Sequence, residues 1–357
     1  MSSENSAYRR AGVDIDAQDE AIARIRAHVA STRSAAVLGD VGCFGGLFRP
    51  ELVGVRDPVL VASTDGVGTK LKLAIRMGDY TTIGEDLVNH CINDILVQGA
   101  LPLFFLDYIS LAKLDPAMVE SLISGMAAAC RAGGCALLGG ELAEMPGLYR
   151  SGDFDLAGFI VGLVDRGAVL PKASLQAGDV VYGLASSGLH TNGYSLAIRV
   201  LLEDGGLSLE EPLQGMTVPL GRALLAVHKS YLTPLRPLLV QPCLKGLAHI
   251  TGGGLVDNLP RILPPACGVR IQAGSWPIPP LFGHIVRRGG IAVGEAFRVF
   301  NLGIGMAVVV DAARTDAFET AIREAGETAY RIGEIVAGDR RVQLEGAEAA
   351  LFEEERS

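Results

Sequence analysis

The chain has 357 residues, and no stretch is apolar for long enough to cross a bilayer. Its most continuous run, LGIGMAVVV at 302–310, falls far short of the roughly 20 residues a spanning helix needs. The opening MSSENSAYRR lacks the apolar core of a secretory signal. Cysteines are few, at 43, 91, 130, 135, 243 and 267, with no paired CxxC and no HxxxH to complete a zinc site. These absences lead us to expect a soluble cytoplasmic protein with buried free thiols. Positive charge is also short: the net charge of −9 argues against a nucleic-acid partner, as the lack of a long apolar run does against a membrane. Two common nucleotide signatures, GxxxxGK[ST] and GxGxxG, are missing, which disfavours a P-loop kinase and a Rossmann dehydrogenase.

What is present is glycine, 45 residues of it, and a chain longer than one hydrophobic core usually fills. From residue 52 to 164 apolar runs (PVLVAS, LPLFFLDYIS, FDLAGFIVGLV) alternate with helical patterns at 80–98 and 115–132, an α/β succession. The segment VDRGAVLPKASLQAGD has no apolar period and marks a boundary near 165–178. We therefore expect a first domain over 1–167, a second over 168–345 and a frayed tail over 346–357. In the second, VVYGLASS and FNLGIGMAVVV read as strands, 193–204, 219–232 and 313–325 as helices, and 273–282 as a loop.

No Lys or Arg lies between Met77 and Lys113, yet the helical pattern there is not all apolar. At 100° per residue Asp86, Asn89, His90, Asn93, Asp94 and Val97 share one arc, opposite Leu87, Val88, Cys91, Ile92, Ile95 and Leu96. Such a helix packs one side and offers carboxylates on the other, either to a hard cation or to internal hydrogen bonds. Just before it, TDGVGTK puts Asp65, the glycines and Lys70 in a turn suited to phosphate, or simply to ending a strand.

Four other strings carry candidate chemistry. GDVGCFGGLF (39–48) is a glycine loop that would fold over a ligand through Gly42, Gly45 and Gly46, or be a plain mobile turn. GGELAEMPG places Glu141 and Glu144 at a strand end. SSGLHTNGYS puts His190, Thr191 and Asn192 in a loop before the helix that Tyr194 starts, with a structural role for His190 as the alternative. TGGGLVDNLPR (251–261) opens a helix with three glycines whose amides suit a phosphate.

Taken together, AGVDIDA (11–17), TDGVGTKLKLA, QGALPLFFLDY, GGELAEMPGLY, SSGLHTNGYSL, AHITGGG, FNLGIGM and RIGEI resemble the AIR synthetase, or phosphoribosylformylglycinamidine cyclo-ligase, family almost end to end. The DxxxxGAxP string of Asp94, Gly99, Ala100 and Pro102 resembles the ATP signature of its superfamily. Selenophosphate synthetase, thiamine-monophosphate kinase and the hydrogenase maturation dehydratase share that signature. The resemblance implies a two-domain α/β fold whose N-terminal strands form a barrel across a homodimer. It also implies ATP-dependent ring closure of formylglycinamidine ribonucleotide to aminoimidazole ribonucleotide, in purine biosynthesis, with ATP and Mg²⁺ as cofactors; the rival readings are another ATP-dependent member of that superfamily and a non-catalytic nucleotide-binding subunit. It assigns Asp65, Asp94 and Glu141 to the metal. Gly42, Gly45, Gly46, Gly66, Gly68, Thr69, Lys70, Gly99 and Ala100 go to the nucleotide, with Lys70 on its phosphates. Thr251, Gly252, Gly253 and Gly254 are expected on the substrate's ribose phosphate, and His190, Thr191 and Asn192 on its reacting end. Cys43, Leu142 and Arg26 depart from the family's usual residues. Leu142, in place of a Thr, removes a hydroxyl beside Glu141.

Overall fold

A computed structural model describes residues 10–39 and 44–352. Two compact units emerge. One comprises residues up to 95 with 100–165, the other 96–99 with 166 onward. The first holds α1 (Ile15–Ala30), β1 (Pro58–Gly66), α2 (Leu71–Met77), α3 (Thr81–Leu96), β2 (Leu101–Leu111), α4 (Pro116–Gly133), β3 (Ala136–Glu144) and β4 (Phe154–Asp165). Its sheet runs β1-β4-β2-β3. The first two pairs are antiparallel and β2–β3 is parallel.

Local chemistry sets the helix ends. The Asp115 carboxylate accepts from the amides of Ala117 and Met118, and Pro116 occupies a first-turn position that needs no N–H. Gly134, at φ 69°, closes α4 in the left-handed region. Gly99, at φ 82°, follows the end of α3 and donates to the Leu96 carbonyl, while Ala100 donates to Ile95. The two motif residues are thus, structurally, a helix stop.

The apolar arc of α3 lies on the sheet through glycines. A Cβ at Gly158 would come within 3.0 Å of Leu87 Cγ, and one at Gly162 within 2.6 Å of Ile95 Cδ1. The crossing of α3 and α4 is backbone on backbone: a Cβ on Gly84 would strike the Leu122 carbonyl and sit 2.6 Å from the Met126 nitrogen. The other face of the sheet is partly bare, with Leu60 66% and Phe159 42% exposed.

The second unit holds β5 (Val180–Ala185), α5 (Tyr194–Ile198), α6 (Leu220–Leu224), α7 (Leu232–Leu235), β6 (Leu244–His249), α8 (Gly254–Asn258) and β7 (Cys267–Gln272). Then come α9 (Pro280–Gly289), α10 (Val293–Val299), β8 (Ile304–Val310), α11 (Thr315–Glu324), β9 (Ala329–Ala337), β10 (Val342–Glu345) and α12 (Ala347–Phe352). The sheet order is β10-β7-β9-β5-β8-β6, antiparallel except for β10–β7. Every residue of β8 is buried, which explains its unbroken apolar run. Phe318 of α11 packs on Tyr182 of β5, with ring centroids 4.8 Å apart.

Several boundaries differ from the sequence reading. The helix expected over 219–232 breaks after Leu224, because Tyr194 Oη donates to the Leu224 carbonyl and Ser187 Oγ to the Val227 carbonyl. Those carbonyls serve Tyr194 of α5 and the loop at 186–193 instead of a further helical turn. Residues 199–203 form a π-helical turn after α5. β8 starts at Ile304, not Phe300, since the Asn301 carboxamide accepts from Gly303 N and folds a turn there. α9 begins inside the expected loop, at Pro280, and the expected tail holds α12, pinned by buried Leu351.

Gly84→Ala is expected to cost about 2–3 kcal/mol, because the obstacle is backbone and cannot rotate away. A lowered urea midpoint at unchanged m-value is the readout, and a wild-type midpoint would show that α3 and α4 can separate freely.

Candidate functional site

In the N-terminal unit only part of the polar arc of α3 reaches solvent. Asp86 and Asn93 are fully buried and His90 is 4% exposed. The reason is Lys70. At the start of α2 its Nζ lies 2.7 Å from Asp86 Oδ2, with neither side chain exposed. Burial lowers the Lys70 pKa, while the Asp86 charge and hydrogen bond act to raise it. The sequence reading placed Lys70 on nucleotide phosphates; here its ammonium is committed to Asp86.

One turn along α3, His90 reaches the end of β1. His90 Nε2 lies 2.7 Å from Asp65 Oδ2 and 3.6 Å from Asp94 Oδ2. Ser63 Oγ donates to Asp94 Oδ2 at 3.1 Å. Burial works against charge on His90, but the Asp65 hydrogen bond and the charges of Asp94, Asp65 and Asp86 outweigh it, and its pKa is raised. Asp65 is 44% and Asp94 25% exposed, so both carboxylates remain accessible. Two acids close enough to share one imidazolium can also share one Mg²⁺, which takes one or two protein carboxylates and keeps several waters. The donor set fits the ion.

Glu141 does not join them. Positions paired across a sheet share a face, and Asp65, Gly158, Asp107 and Gly140 form one such row. Gly158 faces α3, so Asp65 does as well. Glu141 is the next residue after Gly140 and points to the opposite face, three strands away from Asp65. Glu144 is structural: its carboxylate accepts from Asp14 N at 2.7 Å and Leu114 N at 2.8 Å, tying the entries to α1 and α4 together. Asp107, in the same row as Asp65, was not singled out from sequence; burial pushes its pKa up to about 7.

Among the nucleotide candidates, Gly68 takes φ 66° in the turn before Thr69, and the Gly66 amide donates to Asp65 Oδ1 at 2.7 Å. Gly46 lies so close to Leu138 that any side chain would collide with it, whereas Gly45 meets nothing within 4 Å. Gly42 and Cys43 fall outside the described residues.

The second cluster belongs to the C-terminal unit, where the structure brings together the two strings expected on the substrate. A Cβ on Gly252 would lie 3.4 Å from Asn192 Oδ1. Asn258 Nδ2 donates to the carbonyls of Thr251, Gly252 and Gly254, which draws 251–254 into a tight turn. The helix it opens has only five residues, so the turn and not a helix dipole would have to hold an anion.

His190 is 1% exposed and adopts φ 62°, a left-handed backbone that costs a non-glycine residue free energy. Several contacts impose it. Ser187 N–H donates to His190 Nε2 at 3.2 Å, and Asn301 Nδ2 donates to the Gly188 carbonyl at 2.8 Å. Gly305 leaves room for the imidazole and for Tyr231, both of which a Cβ there would strike. The ring stacks on His228, centroids 4.1 Å apart, and His228 approaches Thr191 and His249. His228 sits in what reads as a helix from sequence, and His249 ends an apolar strand, so neither signalled a cluster.

The family model for AIR synthase related protein, N-terminal domain, matches residues 49–164, and that for the C-terminal domain matches 176–345. The chain is 48% identical over 332 residues to a phosphoribosylformylglycinamidine cyclo-ligase of Geobacillus kaustophilus, covering 93% of this chain and 96% of that one. A Bacillus mycoides protein of the same name is 47% identical over 343 residues, covering 96% and 99%. Among solved structures, thiamine-monophosphate kinase from Stenotrophomonas maltophilia superposes with TM-score 0.64 at 21% identity, covering 92% and 96%. A hydrogenase maturation protein HypE in complex with ATP gives 0.62 at 18%, covering 92% and 91%. Those two likenesses carry the fold alone.

Lys70→Met is expected to destabilise by about 3–5 kcal/mol, since it strands the Asp86 charge in the interior. The double variant Lys70→Met, Asp86→Leu should regain most of that in a urea titration. Retained stability with lost ATP affinity in the single variant would instead give Lys70 back to the phosphates.

Proposed function

The chain belongs to the phosphoribosylformylglycinamidine cyclo-ligase family of ATP-dependent ligases, and on that premise we propose how its two clusters divide the work. The reaction closes formylglycinamidine ribonucleotide to 5-aminoimidazole ribonucleotide, with ADP and phosphate released. The observation that carries it is identity near one half over more than nine-tenths of the chain. The formyl oxygen is a poor leaving group. Attack of that oxygen on the γ-phosphate gives an imidate phosphate, the amidine nitrogen closes the ring, and phosphate departs. Such chemistry asks the protein chiefly for positioning and charge neutralisation.

In our reading Asp65 and Asp94 hold Mg²⁺, which offsets charge on the triphosphate, and the turn of Gly66, Gly68 and Thr69 receives the phosphates. The convergence of both carboxylates on His90 supports this. The substrate falls to His190, Thr191, Asn192 and the turn of Thr251, Gly252, Gly253 and Gly254, supported by the strained His190 backbone and the meeting of the two strings. Gly45 and Gly46 lie in the loop proposed to close.

We further propose a homodimer built on the bare face of the N-terminal sheet. Phe159 pairs across the sheet with Leu106 and Thr64, and Val161 with Ala62 and Phe104, so one face carries a contiguous apolar patch. A reducing cytoplasmic setting is proposed from the free buried thiols at Cys91, Cys130, Cys135, Cys243 and Cys267. Among the described residues no helix is long and apolar enough to cross a membrane.

The direct assay supplies ATP, Mg²⁺ and formylglycinamidine ribonucleotide and follows ADP and aminoimidazole ribonucleotide; ATP consumption with no ring product would overturn the reading. Asp94→Asn should abolish turnover with the fold intact, a defect that deepens at low Mg²⁺, and Mg²⁺-dependent activity at the wild-type level would remove Asp94 from the metal. The proton on His90 competes for the same carboxylates, and its raised pKa keeps the ring charged to higher pH than an ordinary histidine. The Mg²⁺ concentration for half-maximal rate should therefore climb on acidification and fall as pH rises through the His90 pKa. For the dimer, sedimentation at micromolar concentration should show two copies, and Phe159→Arg should yield monomers.

A further inference from the structure

The three buried imidazoles of the C-terminal unit each bring a nitrogen within 4.8 Å of the others, which raises the question of a metal. Ring geometry decides against one. An imidazole ligand directs its lone pair in the ring plane, so the ligands of one ion fan out around it. His190 and His228 instead lie face to face, 22° from parallel with centroids 4.1 Å apart. His190 Nε2 is also the acceptor for the Ser187 amide.

The spacing of His228 and His249 has a different consequence. Their Nε2 atoms are 3.0 Å apart, a separation that holds a single proton. Two neutral imidazoles so placed are opposite tautomers at that contact, one offering N–H and the other a lone pair. The second nitrogen of His228, Nδ1, faces Thr191 Oγ1 at 3.3 Å. A neutral ring carries one N–H, so the choice at Nε2 dictates the choice at Nδ1. When His249 donates, His228 Nδ1–H gives its proton to Thr191 Oγ1, and the threonine hydroxyl directs its own proton elsewhere. When His228 donates, the Thr191 hydroxyl must give its proton to Nδ1 and presents lone pairs instead.

His249 is the fixed end of this chain. It is the last residue of β6, in register with Met306 of β8 in the wholly buried part of the sheet. His228 lies in the irregular stretch between α6 and α7, where the Val227 carbonyl accepts from Ser187 of the substrate loop. Orientation therefore passes from the sheet to His249, to His228, and from there to Thr191 by hydrogen bond and to His190 by the stacked face.

We propose that His228 is a positioning residue for the ring closure: through its link to His249 it sets the hydrogen-bond polarity of the Thr191 hydroxyl and, by stacking, the plane of His190. This rests on the assignment of the 190–192 loop to substrate made above. His228 itself touches no reacting atom in this account.

Nitrogen-15 NMR of the histidine rings in the wild-type full-length chain should show opposite protonation at Nε2 of His228 and His249. His228→Phe keeps a flat ring against His190 but has no ring nitrogen. It should lower kcat by about tenfold or more, with KM for ATP little changed and the melting temperature near wild type. His228→Asn, whose amide stands near the position of Nδ1, should recover part of that loss, and it is the reporter if the Phe variant folds poorly. Thr191→Val should fall by a similar factor, and the double variant with His228→Phe should be no worse than the poorer single, because both break one link. Like protonation at the two Nε2 atoms, full turnover in His228→Phe, or multiplicative losses in the double variant would each overturn the proposal. A wild-type chain that forms no aminoimidazole ribonucleotide would sink the substrate assignment instead, and the NMR pattern would still report on the link.

Discussion

Lys70 and Asp86 meet in the interior with no solvent contact, and the arrangement of the N-terminal cluster depends on that pair. It ties the turn after β1 to the middle of α3. One helical turn later His90 is thereby held against Asp65, and Asp94 comes within reach of the same imidazole. The pair is costly to form, because two ions leave water, but costlier to break on one side only. A neutral residue at one position alone would leave the other charge buried without its partner, beside the two accessible carboxylates.

The same helix is constrained from behind. Gly84 and Gly125 let α3 and α4 touch backbone to backbone, and Gly158 and Gly162 admit Leu87 and Ile95 onto the sheet. Glycine's service here is absence of volume, not turn geometry. In the C-terminal unit Gly305 plays a comparable part, clearing space over β8 for His190 and Tyr231. In the first unit the missing side chains seat α3 on its neighbours, and in the second the missing side chain admits the imidazole itself.

The relatives and the solved structures bear on different questions. Thiamine-monophosphate kinase and HypE share this fold at about one-fifth identity, and a shared fold does not by itself name a substrate. Identity near one half over nearly the whole chain places this protein among the cyclo-ligases.

The α/β class, the family and the main elements of the first unit were legible in the residues, because strings such as GLHTNGYSL and GGELAEMPG, and the switch between helical and strand periodicity, are local properties of the chain; several strands of the second unit were not read. Even the arc joining Asp86, His90 and Asp94 was readable, since a helix fixes relative direction over a few turns. Whether that arc met water, an ion or a buried lysine was not, because Lys70 and Asp86 belong to separate elements. Glu141 shows the limit most sharply. Its string suggested a third acid beside Asp65, but strand register places it on the other face of the sheet, and register is set by pairing between strands that are distant in sequence. The cluster of His190, His228 and His249 was equally out of reach, since it required a helix to end early and its carbonyls to turn toward another loop. Sequence determined the elements and the chemistry they carry; tertiary packing alone decided which of those groups face one another, because only the folded chain brings distant segments to within hydrogen-bond range.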